Sequence, residues 1–132
     1  MKRKFLLPGI LLFVAIAATA TYFLKFAKYH IQNNVSVNCH YLAYACGDCY
    51  PRYNVSKVSP ASLGKKLLNQ DIDIEFASTR QEQEFNRKIV TCAICYNFDL
   101  KGDLFYSSKE GCYVLKVASY KLKLNFAKCC TH

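Results

Sequence analysis

The residues with the clearest chemical potential are eight cysteines: Cys39, Cys46, Cys49, Cys92, Cys95, Cys112, Cys129 and Cys130. Four of them form two C-x-x-C pairs, at positions 46–49 and 92–95. Such pairs occur in structural zinc sites, in redox-active dithiols and in disulfide-bonded domains. The cellular compartment decides among these uses, because thiols are kept reduced in the cytosol and are oxidised outside it.

The first 26 residues indicate where the cysteines lie. Lys2, Arg3 and Lys4 form a basic block, and the segment Phe5–Leu24 carries no charge. At about 1.5 Å per residue, a helix of this length spans the roughly 30 Å hydrocarbon layer. We predict an uncleaved transmembrane anchor with its amino end in the cytoplasm. The alternative is a signal peptide cleaved near Ala18-Thr19-Ala20, and both interpretations place the remaining chain on the extracytoplasmic side, periplasmic or extracellular.

The rest of the chain is predicted to be a polar stalk, residues 27–34, and one cysteine-rich β domain, residues 35–132. Apolar residues alternate with polar ones in five stretches, which predicts five strands. These stretches are 35–45, 50–58, 71–76, 90–100 with a continuation at 104–106 after an interruption at Gly102-Asp103, and 112–126. Residues 78–88 are the one helix candidate of the domain, with Ser78 or Thr79 as its cap and Glu82, three residues after Thr79, completing a capping box.

Two details of the strand pattern give sharper expectations. The last strand changes phase, which predicts a β-bulge near Ala118-Ser119. Its second half alternates lysines with apolar residues, and residues 71–76 alternate carboxylates with apolar residues. We therefore expect these two strands to be neighbours, with their lysines and carboxylates paired across them.

The order of these elements resembles that of the OB fold, a five-stranded barrel. The resemblance covers about residues 35–126 and is one of architecture, so it brings no binding residues with it. The predicted fold class is mainly β: a five-stranded OB-like barrel or small β-sandwich with one short helix, preceded by an N-terminal transmembrane helix. OB folds bind oligonucleotides, sugars and proteins, so the architecture does not specify a ligand.

In an extracytoplasmic domain an even number of cysteines predicts disulfide bonds, and all eight are candidates. Cys46 and Cys49 flank a predicted two-residue hairpin loop, where their separation suits a disulfide. Two alternatives stay open. One is a zinc-ribbon-like site in which Cys46, Cys49, Cys92 and Cys95 bind zinc. The other is envelope thiol-disulfide exchange at the first pair.

Conventional catalysis has no motif in this sequence. The histidines, His30, His40 and His132, suggest no serine–histidine–acid arrangement, and neither a phosphate-binding loop nor a zinc-protease motif is present. We therefore predict that the chain is not an enzyme, with no catalytic or cofactor-binding residue and no cofactor.

The predicted function is a membrane-anchored, disulfide-stabilised binding or structural module of the cell envelope. Its expected partners are the membrane, through the N-terminal helix, and an envelope protein. The net charge of +9 is spread over scattered lysines, which favours solubility as its role. Nucleic acid is not expected as a partner outside the cytoplasm.

Overall fold

The structure is a computed structural model and describes residues 6–42, 53–89 and 93–125. It is mainly β, with a five-stranded sheet after an apolar N-terminal helix. The helices are α1 (Leu6–Phe26), α2 (Gly64–Leu67) and α3 (Thr79–Ile89), and short 3-10 turns cover Ala61–Leu63 and Ala93–Cys95. The strands are β1 (Lys28–Tyr41), β2 (Tyr53–Ser59), β3 (Asp71–Phe76), β4 (Tyr96–Ser107) and β5 (Cys112–Leu124).

Helix α1 is apolar around its whole circumference. Its stretch Gly9–Phe26 has a mean hydropathy of 1.8 over 18 residues, and 0% of it is buried against the rest of the chain. The hydroxyls of Thr19 and Thr21 donate to backbone carbonyls one turn earlier, each over 2.7 Å, so neither needs water as a partner. This confirms a helix long and apolar enough to span a membrane or to act as a signal sequence.

The predicted stalk, residues 27–34, is instead the first part of β1. Only Ala27 separates α1 from this strand. Residues 28–34 lie along the second half of β4, with Lys28 opposite Ser107. The pairing is irregular between His30 and Val35, and Asn34 has a positive φ of 54°. These irregularities remove the period-two pattern by which a strand is recognised in a sequence, so the prediction was wrong.

The strands are paired in the order β1-β2-β3-β5-β4, and β4 pairs in turn with β1. β3 and β5 run parallel, whereas the other four pairings are antiparallel. A parallel pair requires a long connection, and here the chain between β3 and β5 contains α3 and β4. Five strands, with a helix between the third and the fourth, are confirmed, but the fourth begins at Tyr96 after a 3-10 turn at Ala93–Cys95 and not at residue 90 as predicted.

The acidic strand and the last strand are neighbours, as expected, but the predicted pairing of the β3 carboxylates with Lys121 and Lys123 is wrong. β3 lies beside residues 113–117, in the first half of β5. Lys121 and Lys123 belong to the second half of β5 and lie opposite β4. The two halves of this long strand have different neighbours, because β3 begins beside the start of β5 and is only six residues long. Glu75 of β3 forms its ion pair with Lys28 of β1 instead.

The predicted bulge is present at Ala118. Gly102 lies opposite Val117 and the residue before it lies opposite Ser119, so Ala118 has no counterpart on β4. The expected interruption of the fourth strand at Gly102 is absent, because β4 continues from Tyr96 to Ser107. A Cβ at this position would lie 1.9 Å from the backbone oxygen of Lys116, so glycine is what allows the two strands to approach at the bulge.

The core lies on the inner face of the sheet, and α3 covers part of it, with Phe85 as its one fully buried side chain. Phe85 is 1% exposed, although most other side chains of this helix are polar. Its ring centroid lies 4.9 Å from that of Phe76, 5.1 Å from Tyr120 and 5.5 Å from Phe98. The other core side chains are Val35, Val37, Cys39, Tyr53, Val55, Leu63, Leu67, Ile72, Leu100, Leu104, Leu115 and Val117.

Candidate functional site

The described residues include three of the eight cysteines. Cys39 lies on β1, Cys95 in the 3-10 turn before β4, and Cys112 at the start of β5; all three are buried, and no disulfide joins any two of them. The others lie outside the described residues: Cys46, Cys49, Cys92, Cys129 and Cys130. The hairpin pair and the set of four zinc ligands therefore stay predictions.

Two of the buried thiols have surroundings that suppress ionisation. Burial, and then the negative charge of Asp99, raises the pKa of Cys39 to about 12. Burial raises the pKa of Cys112 to about 11, with Asp73 as the larger of two carboxylate contributions. Because the thiolate is the reactive form, the raised pKa values keep both thiols protonated at neutral pH, and Cys39 also packs in the core.

The carboxylates and histidines do not assemble into a metal site in the described ranges. No group of three histidine, cysteine, aspartate or glutamate side chains there is placed to hold a metal ion. Asp71 accepts a hydrogen bond of 2.7 Å from Asn54, and Glu75 pairs with Lys28. His30 packs edge-on against Phe105, with 5.2 Å between the ring centroids.

A polar surface that the sequence analysis did not select lies on the outer face of β1, β4 and β5. Side chains at 35, 37 and 39 of β1 are buried, so those at 36, 38 and 40 face outward. The register aligns two rows across the strands. Ser36, Lys101 and Ser119 form the first row, and Asn38, Asp99 and Lys121 form the second.

These rows border an open groove, here called the β1–β4–β5 groove. Its volume is about 390 Å³, and it is lined by Ser36, Asp99, Lys101, Ser119, Tyr120 and Lys121. The bulge at Ala118 shapes this groove, because the extra residue shifts the side chains that follow it relative to β4. Tyr120 also packs on Phe85, so one wall of the groove is fixed by the core.

Both oxygens of the Asp99 carboxylate have partners on neighbouring strands. The Lys123 ammonium lies 2.6 Å from Asp99 Oδ2, and the Asn38 amide donates to the other oxygen. Ser56 donates to the Asn38 side-chain oxygen over 2.7 Å, so the network crosses four strands. The hydrogen bond from Lys123, followed by that from Asn38, lowers the pKa of Asp99, which is ionised at neutral pH.

The two lysines that line the groove lack such a salt bridge in the described part of the chain. Both Lys101 and Lys121 are exposed, and neither forms an ion pair with another residue in the described part of the chain. The hydroxyls of Ser36 and Ser119 likewise have no hydrogen-bond partner among the described residues. The groove thus presents two ammonium groups and two hydroxyls beside Asp99, which forms an ion pair with Lys123 and is also attracted by the charge of Lys121.

Comparisons with known proteins assign no family. No family model matches the chain, and no curated protein or solved structure matches it significantly.

Proposed function

We propose that the chain is a membrane-anchored binding module of the cell envelope, in which α1 holds an OB-like barrel beside the bilayer on its extracytoplasmic side. The observation that carries the proposal is the junction between helix and sheet: an exposed apolar helix of 21 residues is followed after one residue by the first strand. A helix of that composition is stable in lipid and is a liability in water. The β domain then begins at the membrane surface.

An OB-like barrel is supported by the pairing of the strands. β4 pairs with β1 as well as with β5, so every strand has two neighbours. A pairing that returns to the first strand leaves no fully open edge for another chain to join. The long bulged last strand and the helix between β3 and β4 fit the same architecture.

Side chains at the end of α1 support a position at the lipid–water interface. Tyr22, Phe23 and Phe26 are all exposed. Lys25 precedes Phe26 directly, and Lys28 follows it by two residues. Aromatic and basic side chains are enriched where a transmembrane helix leaves the hydrocarbon layer.

The turn between β4 and β5 lies against the same junction. The backbone N–H of Ser108 donates to the carbonyl of Ala27 over 3.2 Å. The ammonium of Lys109 lies 6.0 Å from the centre of the Phe26 ring. This end of the β domain therefore adjoins the end of the helix.

The cysteines complete the proposal as stabilising elements. On the extracytoplasmic side, disulfides that include Cys46, Cys49, Cys92, Cys129 and Cys130, with at least one partner among the other cysteines, would stabilise the domain. Intact mass after alkylation, with and without reduction, tests this directly. Alkylatable thiols together with one retained zinc in the native mass spectrum would instead support the zinc alternative, with Cys46, Cys49, Cys92 and Cys95 as ligands.

Membrane anchoring is tested by alkaline extraction and vesicle flotation of the full chain. We expect the chain to resist extraction and to float with the vesicles. Val14→Arg should release a large share of the protein, because an arginine at the centre of a spanning helix costs about 2.5–3.5 kcal/mol. Gln83→Arg, which adds the same charge on the exposed face of α3, is the control and should leave flotation unchanged.

Orientation is tested separately with a reporter fused after His132. Activity of the reporter only in the cytoplasm would refute the extracytoplasmic assignment, whatever the flotation result.

A further inference from the structure

We propose that the β1–β4–β5 groove binds an oxyanion group, a carboxylate or a phosphate, on a ligand that reaches the outer face of the sheet. This inference rests on the proposed function, since it names the chemistry of the ligand that the binding module takes. The groups that carry it are the ammoniums of Lys101 and Lys121 and the hydroxyls of Ser36 and Ser119.

The strand register brings these groups together although they are distant in the sequence. Lys101 lies directly between Ser36 and Ser119 across three strands. Lys121 follows Ser119 on the same face of β5 and lies opposite Asp99. Directly opposite side chains on neighbouring strands have Cβ atoms about 4.5–5.5 Å apart, so Lys101 adjoins both serines, and Lys121 lines the same groove.

The charges of the groove favour an anion over a cation. Asp99 is the one carboxylate among the described residues that line it, and both of its oxygens are already used by Lys123 and Asn38. A metal or an ammonium ligand would have to displace one of these contacts. An oxyanion needs to displace none, and its oxygens would accept charge-assisted hydrogen bonds from Lys101 and Lys121.

The position of the groove argues against the headgroups of the anchoring membrane as the source of the oxyanion. Ser36 lies eight residues beyond Lys28, where β1 begins at the end of α1. At about 3.3 Å per residue this corresponds to up to about 26 Å along the strand. The site is therefore suited to a soluble ligand or to one carried by another envelope component.

The binding experiment uses the full chain in zwitterionic micelles, with inorganic phosphate and acetate as probes and amide NMR signals as the readout. Ionic strength is held constant with chloride. We expect saturable shifts at Ser36, Lys101 and Ser119, stronger with the doubly charged phosphate. In the double variant Lys101→Gln, Lys121→Gln the dissociation constant should rise at least about tenfold, since two charge-assisted hydrogen bonds are lost.

The matched control is Lys65→Gln, Lys66→Gln, which removes the same charge from two exposed positions of α2. Equal weakening by both double variants, or shifts that never saturate, would show only general attraction to a basic protein and would overturn the proposal. Micelles containing an anionic lipid, without added phosphate, test the headgroup as the source. Shifts at the groove in that sample would support the oxyanion chemistry and assign it to lipid.

The failure of this proposal and the failure of the anchor can be told apart. A chain that floats with vesicles but gives no saturable shift retains its anchor and lacks the oxyanion site. A chain that binds phosphate through Lys101 and Lys121 but is extracted by alkali has the site and lacks the anchor.

Discussion

Replacing Phe85 by alanine tests how the β domain is held together. This ring is 1% exposed and contacts Phe76, Phe98 and Tyr120, which come from three different strands. It is also the buried side chain through which α3 reaches the core. Truncating a buried phenylalanine to alanine costs about 3–5 kcal/mol, and we expect the upper half of that range because three aromatic contacts are lost together.

A loss of this size is a large part of the stability of a single domain, which is about 5–15 kcal/mol. The expected fall in Tm is therefore about 12 °C or more. The chain has ten tyrosines and no tryptophan, so near-ultraviolet circular dichroism of the tyrosines follows the unfolding. The measurement is a urea titration of the full chain in micelles, with the slope compared between variants.

Two control variants define the result. Gln83→Ala changes an exposed position of the same helix and should alter the free energy of unfolding by about 0.5 kcal/mol or less. Phe85→Leu keeps an apolar side chain and should fall between the wild type and Phe85→Ala. A loss below about 1 kcal/mol for Phe85→Ala, at an unchanged slope, would refute the conclusion that α3 packs into the core.

The same variant connects the core with the β1–β4–β5 groove. Tyr120 contacts Phe85 on one side and lines the groove on the other. Loss of the phenylalanine ring should therefore also broaden or shift the amide signals of Ser119 and Tyr120.

Three further predictions follow from the bulge, the carboxylate network and the buried thiols. Gly102→Ala should lower the free energy of unfolding by about 3 kcal/mol, because its Cβ would lie 1.9 Å from a backbone oxygen. The control is Gly64→Ala, whose Cβ would meet only the Leu68 side chain at 3.4 Å and should have little effect. Urea titrations of both variants measure the difference. The folded-state pKa of Asp99 is lowered, so its stabilising contribution is present at neutral pH and is lost as the pH falls through the acidic range below its ordinary value of 3.8. The destabilisation caused by Asp99→Asn should therefore shrink over that range in urea titrations, and one that is independent of pH would contradict the assignment. Cys39 and Cys112, with pKa values of about 12 and about 11, should resist iodoacetamide at pH 8 and react after unfolding, as peptide mass mapping would show; rapid labelling of the folded chain would contradict their burial.

Much of the fold could be predicted from the sequence, because its signals are local. The uncharged run that forms α1 and the alternation along β1 from Val35 onward depend only on neighbouring residues. The shift in the alternation of apolar residues along β5 predicted the bulge at Ala118 for the same reason. The first part of β1 was missed because irregular pairing between His30 and Val35 leaves no repeating pattern.

The partners of each strand could not be predicted in this way. Cross-strand charge matching assigned the lysines of β5 to β3, whereas the structure places Lys123 beside Asp99 of β4. The error arose because β3 is only six residues long and begins beside the start of β5, so that it adjoins only the first half of the longer strand. Pairing over such sequence distances depends on the direction and offset of whole strands.

The sequence by itself therefore determined an apolar N-terminal helix, five strands, one capped helix and the bulge. Each of these features depends on the types and spacing of residues that are close together in the sequence. The tertiary structure alone decided which outward-facing side chains meet. Ser36, Lys101 and Ser119 are separated by many residues in the chain and become neighbours only through the register of three strands. The β1–β4–β5 groove exists because that register aligns groups with no local signature, and its chemistry could be recognised only once they were aligned.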